Sequence, residues 1–289
     1  VSTDLRVVAI GGGHGTAVTL RALRLYASTI TAIVTTADDG GSSGRLRDVL
    51  GLPALGDARK CLIALAAESS TLGATLGVRY EEGPLSGHAV GNFVLAGLLL
   101  EGMDLVTALA RAGELLGAVG TVLPATTTPT ELHAELRKGS LSGQAQIGRA
   151  GEIRSLQILP SGVRSPRAAL EAIEQADQVV VGPGSLYTSV LAAAAVPDIA
   201  TALRETSAQR VFVCNLRPEI PETLGYTVAD HLNALISHGV EVDFVLWDPD
   251  GTMELGRPEM AVRAADLKGS NGLVHEPGKL ARALQALLY

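Results

Sequence analysis

Short β-branched runs alternate with longer apolar stretches at helical spacing along most of the chain. Arg6-Val-Val-Ala-Ile10 and Ile30-Thr-Ala-Ile-Val-Thr-Thr36 are runs of the first kind. Gln178-Val-Val-Val-Gly182, Arg210-Val-Phe-Val-Cys-Asn215 and Val242–Trp247 repeat it. Runs without polar alternation predict strands buried on both faces, as in a parallel sheet. The stretches between predict helices over Ala17–Tyr26, Gly56–Glu68 with Asp57 as N-cap, Gly87–Leu100, Asp104–Leu116, Pro166–Ala176, the alanine-rich run to Ala195, Thr227–His238 and Glu276–Leu288. Val122–Thr128 ends a further strand in hydroxyls. Leu132–Leu136 and Glu152–Leu159 read as strands around Gly139–Gln144, a turn or hairpin. Lys268–Gly272 is the one segment that reads as flexible, and no repeat or linker divides the chain. The expectation is one α/β domain over residues 1–289 with a mostly parallel central sheet.

Three glycine-rich stretches follow predicted strands. Gly11-Gly12-Gly13-His14-Gly15-Thr16 lies between the first strand and its helix, the setting in which a helix N-terminus meets a phosphate. Thr16 stands where the dinucleotide fingerprint needs its third glycine, and no Gly-Lys-Ser/Thr motif is present. A tight β–α turn without ligand is the alternative. The second stretch, Ala37-Asp38-Asp39-Gly40-Gly41-Ser42-Ser43-Gly44-Arg45-Leu46-Arg47, asks for chemistry more loudly. Glycines let the backbone approach a ligand, N–H groups and hydroxyls donate to phosphate, and Arg45 can pair with it. Asp38 and Asp39 could hold Mg²⁺ or meet sugar hydroxyls; a glycine-rich surface loop is the plain alternative. Gly182-Pro183-Gly184-Ser185-Leu186-Tyr187-Thr188-Ser189 repeats the order strand, glycine turn with hydroxyls, helix. Asn215 ends another strand at the same edge, where open α/β sheets bind ligands.

Smaller signals are weighed beside these. Arg59 and Lys60 in a first helical turn oppose the dipole, which suggests a nearby anion or only a solvated turn. Asn92, four residues after His88 in an apolar helix, needs a ligand or a buried backbone partner. Gly40–Gly44 formally matches G-x-S-x-G, with Asp177 and His231 as the partners a hydrolase would draft. Asp248-Pro-Asp250-Gly251 reads as a turn rather than a metal site. The six histidines show no zinc spacing, and only His14 sits in a loop that favours a ligand.

Composition narrows the class. Aromatic content of 3% and a formal charge of −7 without a basic stripe argue against nucleic acid. Cys61 and Cys214 fall in apolar runs and make no disulfide framework. Val90–Leu100 is too short to span a bilayer, and the opening residues lead straight into a strand, so the expected compartment is the cytoplasm.

The stretches Gly11–Gly15, Ala37–Arg47, Gly56–Arg59, Gly87–Asn92, Gly182–Ser189 and Gly225–His231 together resemble the YvcK-type gluconeogenesis factor family, within the wider group of 2-phospho-L-lactate transferase-like (CofD-like) proteins. The resemblance covers nearly the whole chain. It implies a Rossmann-like three-layer fold and a nucleotide or nucleotide-sugar ligand such as UDP-N-acetylglucosamine. It also implies a regulatory role in carbon metabolism, cell-wall synthesis and cell shape, with homo-oligomers and cell-wall-synthesis proteins as partners. The transferase branch instead moves a phospholactyl group onto a deazaflavin alcohol. Two positions depart from the family: Ile220-Pro221-Glu222-Thr223 replaces Pro-Gly-Glu-Thr, and Val274 replaces an arginine before His275.

Overall fold

The computed structural model describes residues 4–67 and 70–288. Its strands are β1 (Arg6–Gly11), β2 (Thr29–Val34), β3 (Thr121–Pro124), β4 (Glu131–Leu136), β5 (Ser140–Ser142), β6 (Ile153–Leu159), β7 (Gln178–Val181), β8 (Gln209–Val213), β9 (Phe244–Trp247) and β10 (Val262–Ala264). Seven form one sheet in the order β10-β9-β8-β7-β1-β2-β3, every pairing parallel. The chain moves outward from β1 to β3, then returns to β7 on the other side of β1. The strand order therefore reverses between β1 and β7, and a crevice opens beyond their carboxyl ends. A small antiparallel sheet, β5-β4-β6, is inserted between β3 and β7.

The apolar strands fill a core on each face of the sheet. Val7 and Ala9 pack with Leu20, Leu62, Leu95 and Leu280 from helices on one side. Val8 and Ile10 pack with Leu132, Ile173, Val190 and Leu232 on the other, where the small sheet also lies. Burial on both faces is why these strands are continuous apolar runs. No single helix among the described residues is long and apolar enough to cross a membrane. The apolar Leu186–Leu191 and Ala192–Ala194 turns are buried core.

Several boundaries move. The first helix is Gly13–Leu23, so the glycines after Gly12 belong to its first turn. The Asp38–Arg47 stretch is a loop only as far as Gly40; Gly41–Leu50 is helical. Asp57 does not cap its helix, which runs Gly56–Leu65 with Leu55 at the N-cap position. Glu68, at the end of that expected helix, lies outside the described residues. Helices Thr71–Gly77 and Pro197–Glu205 and strand β10 lacked a clear pattern in the sequence. Gly139–Gln144 contains β5, which pairs with β4. Asp248 accepts the N–H groups of Asp250, Leu267 and Lys268, which makes its segment a turn. Lys268–Gly272 is tied down by Gly269 N–H to Val274 O at 2.8 Å and Lys279 Nζ to Lys268 O at 3.0 Å.

The loops after β1 and β7 interlock. A Cβ on Gly15 would fall 2.1 Å from the Pro183 carbonyl oxygen and 3.1 Å from Gly184 Cα. Backbone cannot move aside as a side-chain tip can. Gly15→Ala should therefore lower stability by roughly 1–3 kcal/mol, the usual range for overpacking. Thermal denaturation should show a melting point several degrees below wild type; an unchanged one would mean the loops separate freely.

Candidate functional site

Two cavities meet over the crevice at the carboxyl ends of β1, β7 and β8. The polar lobe, about 420 Å³, is lined by Gly12–Gly15, Asp38, Asp57, Lys60, Gln144, Arg149, Ser185, Thr188 and Glu219. The second, about 660 Å³, is lined by Val18, Leu216, Ile220, Leu224, Leu273 and Val274, with Asn215, Arg217 and His275. His14, Gly15, Gly184 and Glu219 belong to both.

The first glycine loop presents open donors. Gly12 is the N-cap of the Gly13–Leu23 helix, no side chain caps it, and its first turn carries no acid. The free N–H groups and the positive dipole end face the polar lobe, an anion site by construction. Lys60 enters the same lobe and pairs with Asp57 Oδ1 at 2.9 Å. A Cβ on Gly12 would sit 2.5 Å from Asp57 Oδ2, so glycine lets the acid close up against the loop. Burial first, and Lys60 next, push His14 below the ordinary imidazole range. Thr16 turns inward: it is fully buried and bonds Gly12 O at 3.1 Å.

Asp38 and Asp39 diverge. Asp38 lines the polar lobe and accepts the Gly40 N–H at 2.9 Å. Burial, and then the charge of Asp57, hold its carboxyl above the usual range. Asp39 turns to the short helix Gln144–Ile147 that follows β5, where Oδ1 accepts the Ala145 N–H at 2.7 Å. The adjacent pair is therefore no chelate. Asp38 instead shares the lobe with Asp57 and Glu219. Among the described residues no three His, Cys, Asp or Glu side chains converge as a metal site.

The helix from Gly41 onward sorts the rest of the stretch by face. Ser42 and Ser43 turn inward, Arg45 outward. Ser43 Oγ accepts the Gly56 N–H at 3.0 Å. Ser42 Oγ takes Asn92 Nδ2 at 2.8 Å and meets His88 Nδ1 at 3.0 Å. Asn92 is thus partnered by a side chain beneath the site, and the cavities do not reach it. Asp177 caps Arg6 N–H at the opposite edge of the sheet, so no hydrolase triad forms around Ser42. Arg45 leaves the crevice altogether and bonds Ser86 O at 2.7 Å. The cations of the cleft are Lys60, Arg149 and Arg217 instead.

The second glycine loop is already satisfied. Asn215 clamps Gly184 through both amide atoms, accepting its N–H at 3.0 Å and donating to its carbonyl at 2.9 Å. Tyr187 is buried, with its hydroxyl against that of Tyr226 at 2.9 Å. Ser185 bonds Glu219, and Thr188 gives both its N–H and its hydroxyl to Glu222 Oε1. Burial above all pushes the Glu222 carboxyl up to about 7. Glu219, Glu222, Asp57 and Arg149 carried no cleft signal in the sequence, because only topology brings their loops together. Lys60 did carry one, in its position against the helix dipole.

A parallel sheet with an open helix N-terminus, a lysine and carboxylates at its switch point defines a Rossmann-like α/β protein with a polar cleft at that point. The chain belongs to the 2-phospho-L-lactate transferase CofD family, whose sequence model matches residues 7–262. It is 43% identical over 235 residues to the gluconeogenesis factor of Halalkalibacterium halodurans, covering 80% of this chain and 73% of that one. A Mycobacterium leprae protein named "Putative gluconeogenesis factor" is 41% identical over 308 residues, covering 97% and 85%. The crystal structure of a UPF0052-family protein from Bacillus halodurans superposes with a TM-score of 0.92 at 35% identity, covering 99% and 100%.

Glu222 gives the site a pH signature. Its folded pKa lies above the ordinary 4.5, so between about 4.5 and 7 the folded state binds more protons than the unfolded. Stability from this group is full at low pH and lost as pH rises through 7. Glu222→Gln mimics the protonated acid at every pH. Denaturant unfolding should show the variant gaining on wild type from pH 5 to pH 8; a constant difference would mean Glu222 titrates normally.

Proposed function

We propose that this chain binds a nucleotide sugar of the UDP-N-acetylglucosamine kind and acts as a cytoplasmic regulator linking carbon metabolism to cell-wall synthesis and cell shape. The observation that carries this is the open N-terminus of the Gly13–Leu23 helix facing Lys60 in the polar lobe. Diphosphate belongs there, with Asp38 and Glu219 within the same lobe to accept sugar hydroxyls. The larger, mostly apolar lobe suits the base, and Gly15 and Gly184 leave the two continuous. The names of the related gluconeogenesis factors support the metabolic role. Val274 lines the apolar lobe, so phosphate charge here falls to Lys60 and the helix rather than to an arginine at that position.

Transfer chemistry is the second reading, favoured by Asp38 and Asp57 sharing one lobe. Their mutual repulsion fits a cation such as Mg²⁺ between them, with the ligand and water completing its shell. Such a cation would stabilise charge on a leaving diphosphate.

Calorimetry with UDP-N-acetylglucosamine separates these readings from their alternatives. Lys60→Ala removes a charge-assisted contact of about 1.5–3 kcal/mol, so affinity should fall roughly ten- to hundredfold. Arg45→Ala, outside the crevice, should leave it unchanged. Unchanged binding in Lys60→Ala would move the site elsewhere. Incubation with UDP-sugars and Mg²⁺ should yield no product; product that disappears in Asp38→Asn would establish the transferase.

A further inference from the structure

The donors of the second glycine loop are held by carboxylates, whereas no side chain caps the helix that starts in the first. Glu222 Oε1 accepts the Thr188 N–H and hydroxyl, both at 2.9 Å. Glu219 accepts the Ser185 hydroxyl. Ser185, Thr188 and Glu219 all line the polar lobe. Both acids come from one short loop.

That loop rests badly. Glu222 is 2% exposed, yet its Oε2 finds no partner. Glu219 adds like charge beside it. Buried Asp248, by contrast, spends its carboxylate on three backbone N–H groups. Between and after the two acids, Ile220 and Leu224 stand 75% and 65% exposed at the mouth of the apolar lobe. An acid is buried while its apolar neighbours face water, the reverse of what solvation favours. A loop with a second resting position resolves both faults at once.

We propose that the Glu219–Leu224 loop is an internal stand-in for an anionic ligand group. Its carboxylates hold Ser185 and Thr188 until a phosphate displaces them, and the displaced loop lays Ile220 and Leu224 over the apolar lobe. A phosphate offers the same donors more acceptor oxygens than a carboxylate. The proposal rests on the polar lobe receiving phosphate.

Inorganic pyrophosphate is the probe. Glutamine keeps the shape of the acid but holds the donors less tightly. E219Q/E222Q should therefore bind pyrophosphate about tenfold more tightly than wild type by calorimetry, a change of about 1.4 kcal/mol. E219Q alone, at a half-buried position, should show a smaller gain and serves if the double variant fails to fold. A solvent-sensitive dye on Ile220→Cys should shift to the blue when pyrophosphate is added, since Cys61 and Cys214 are buried and escape labelling. Affinity equal to or weaker than wild type in both glutamine variants, or an unmoved dye, overturns the loop proposal. Lys60→Ala keeps the two ideas apart. If it leaves pyrophosphate binding untouched, the phosphate assignment fails; if it weakens binding while the glutamine variants gain nothing, only the loop proposal fails.

Discussion

The contact of Gly15 with the Pro183 carbonyl is the constraint on which the crevice depends. Two β–α loops from strands 171 positions apart in the chain, β1 and β7, must share one edge without a side chain between them. Thr19 adds a hydrogen bond across the same seam, to Gly182 O at 2.9 Å. Because this seam is backbone against backbone, it fixes the spacing of the first and second glycine loops. Everything that could touch a ligand is then hung from it. The Gly13–Leu23 helix aims its N-terminus into the crevice, and Asn215 pins Gly184 from the other side. A ligand that reaches from one lobe to the other must pass over Gly15 and Gly184, where the wall has no side chains.

The polar lobe brings charges of both signs together. Asp38, Asp57 and Glu219 meet Lys60 and Arg149 in a space of about 420 Å³. Only Lys60 and Asp57 form an ion pair there, and it is partly buried. Asp38 is left with a raised affinity for protons by burial and by Asp57. Carboxylates in such a state accept hydrogen bonds from hydroxyl groups, bind cations or protonate, depending on what arrives. A purely structural acid is treated differently in the same molecule: Asp243 is paired with Arg210 at 2.6 Å and pulled below its usual range by that bonding.

Much of the fold was legible because its strands are buried on both faces. Val7–Ile10, Ile30–Val34 and Val179–Val181 announce themselves through apolar and β-branched residues without polar alternation, and the helices between them dictate parallel pairing. Short elements escaped because tertiary packing creates them: β10 is three residues on an outer edge, and Thr71–Gly77 is a mostly exposed helix of about two turns. At the site, the glycine loops were legible and the identity of their partners was not. Asp38 and Asp39 look equivalent as neighbours in sequence. Only the approach of Gly143 and Ala145, at the start of the short helix after β5, decides that one faces the lobe and the other becomes a strut. Arg45 was misplaced for a simpler reason: glycines suggested a loop, and a helix rotates successive residues by about 100° per position, so serine and arginine part ways.

The eleven-residue stretch that stands out most in the sequence thus does mainly structural work around one ligand-facing acid. Ser43 bridges to Gly56, Ser42 gathers His88 and Asn92, and Asp39 anchors the Gln144–Ile147 helix. Each of these ties a different element to the loop that carries Asp38. The helix bearing Lys60 and Asp57 is among them, through Gly56. Three independent attachments leave Asp38 little freedom relative to the first glycine loop, while the wall opposite rests on Glu219 and on Glu222, whose buried Oε2 has no partner. One side of the cleft is rigid and electropositive at a helix end; the other is acidic and closed by a loop. That asymmetry would give an anion bound as proposed one favoured orientation, with its charge on the Gly13 helix and its hydroxyl-bearing part toward the acids.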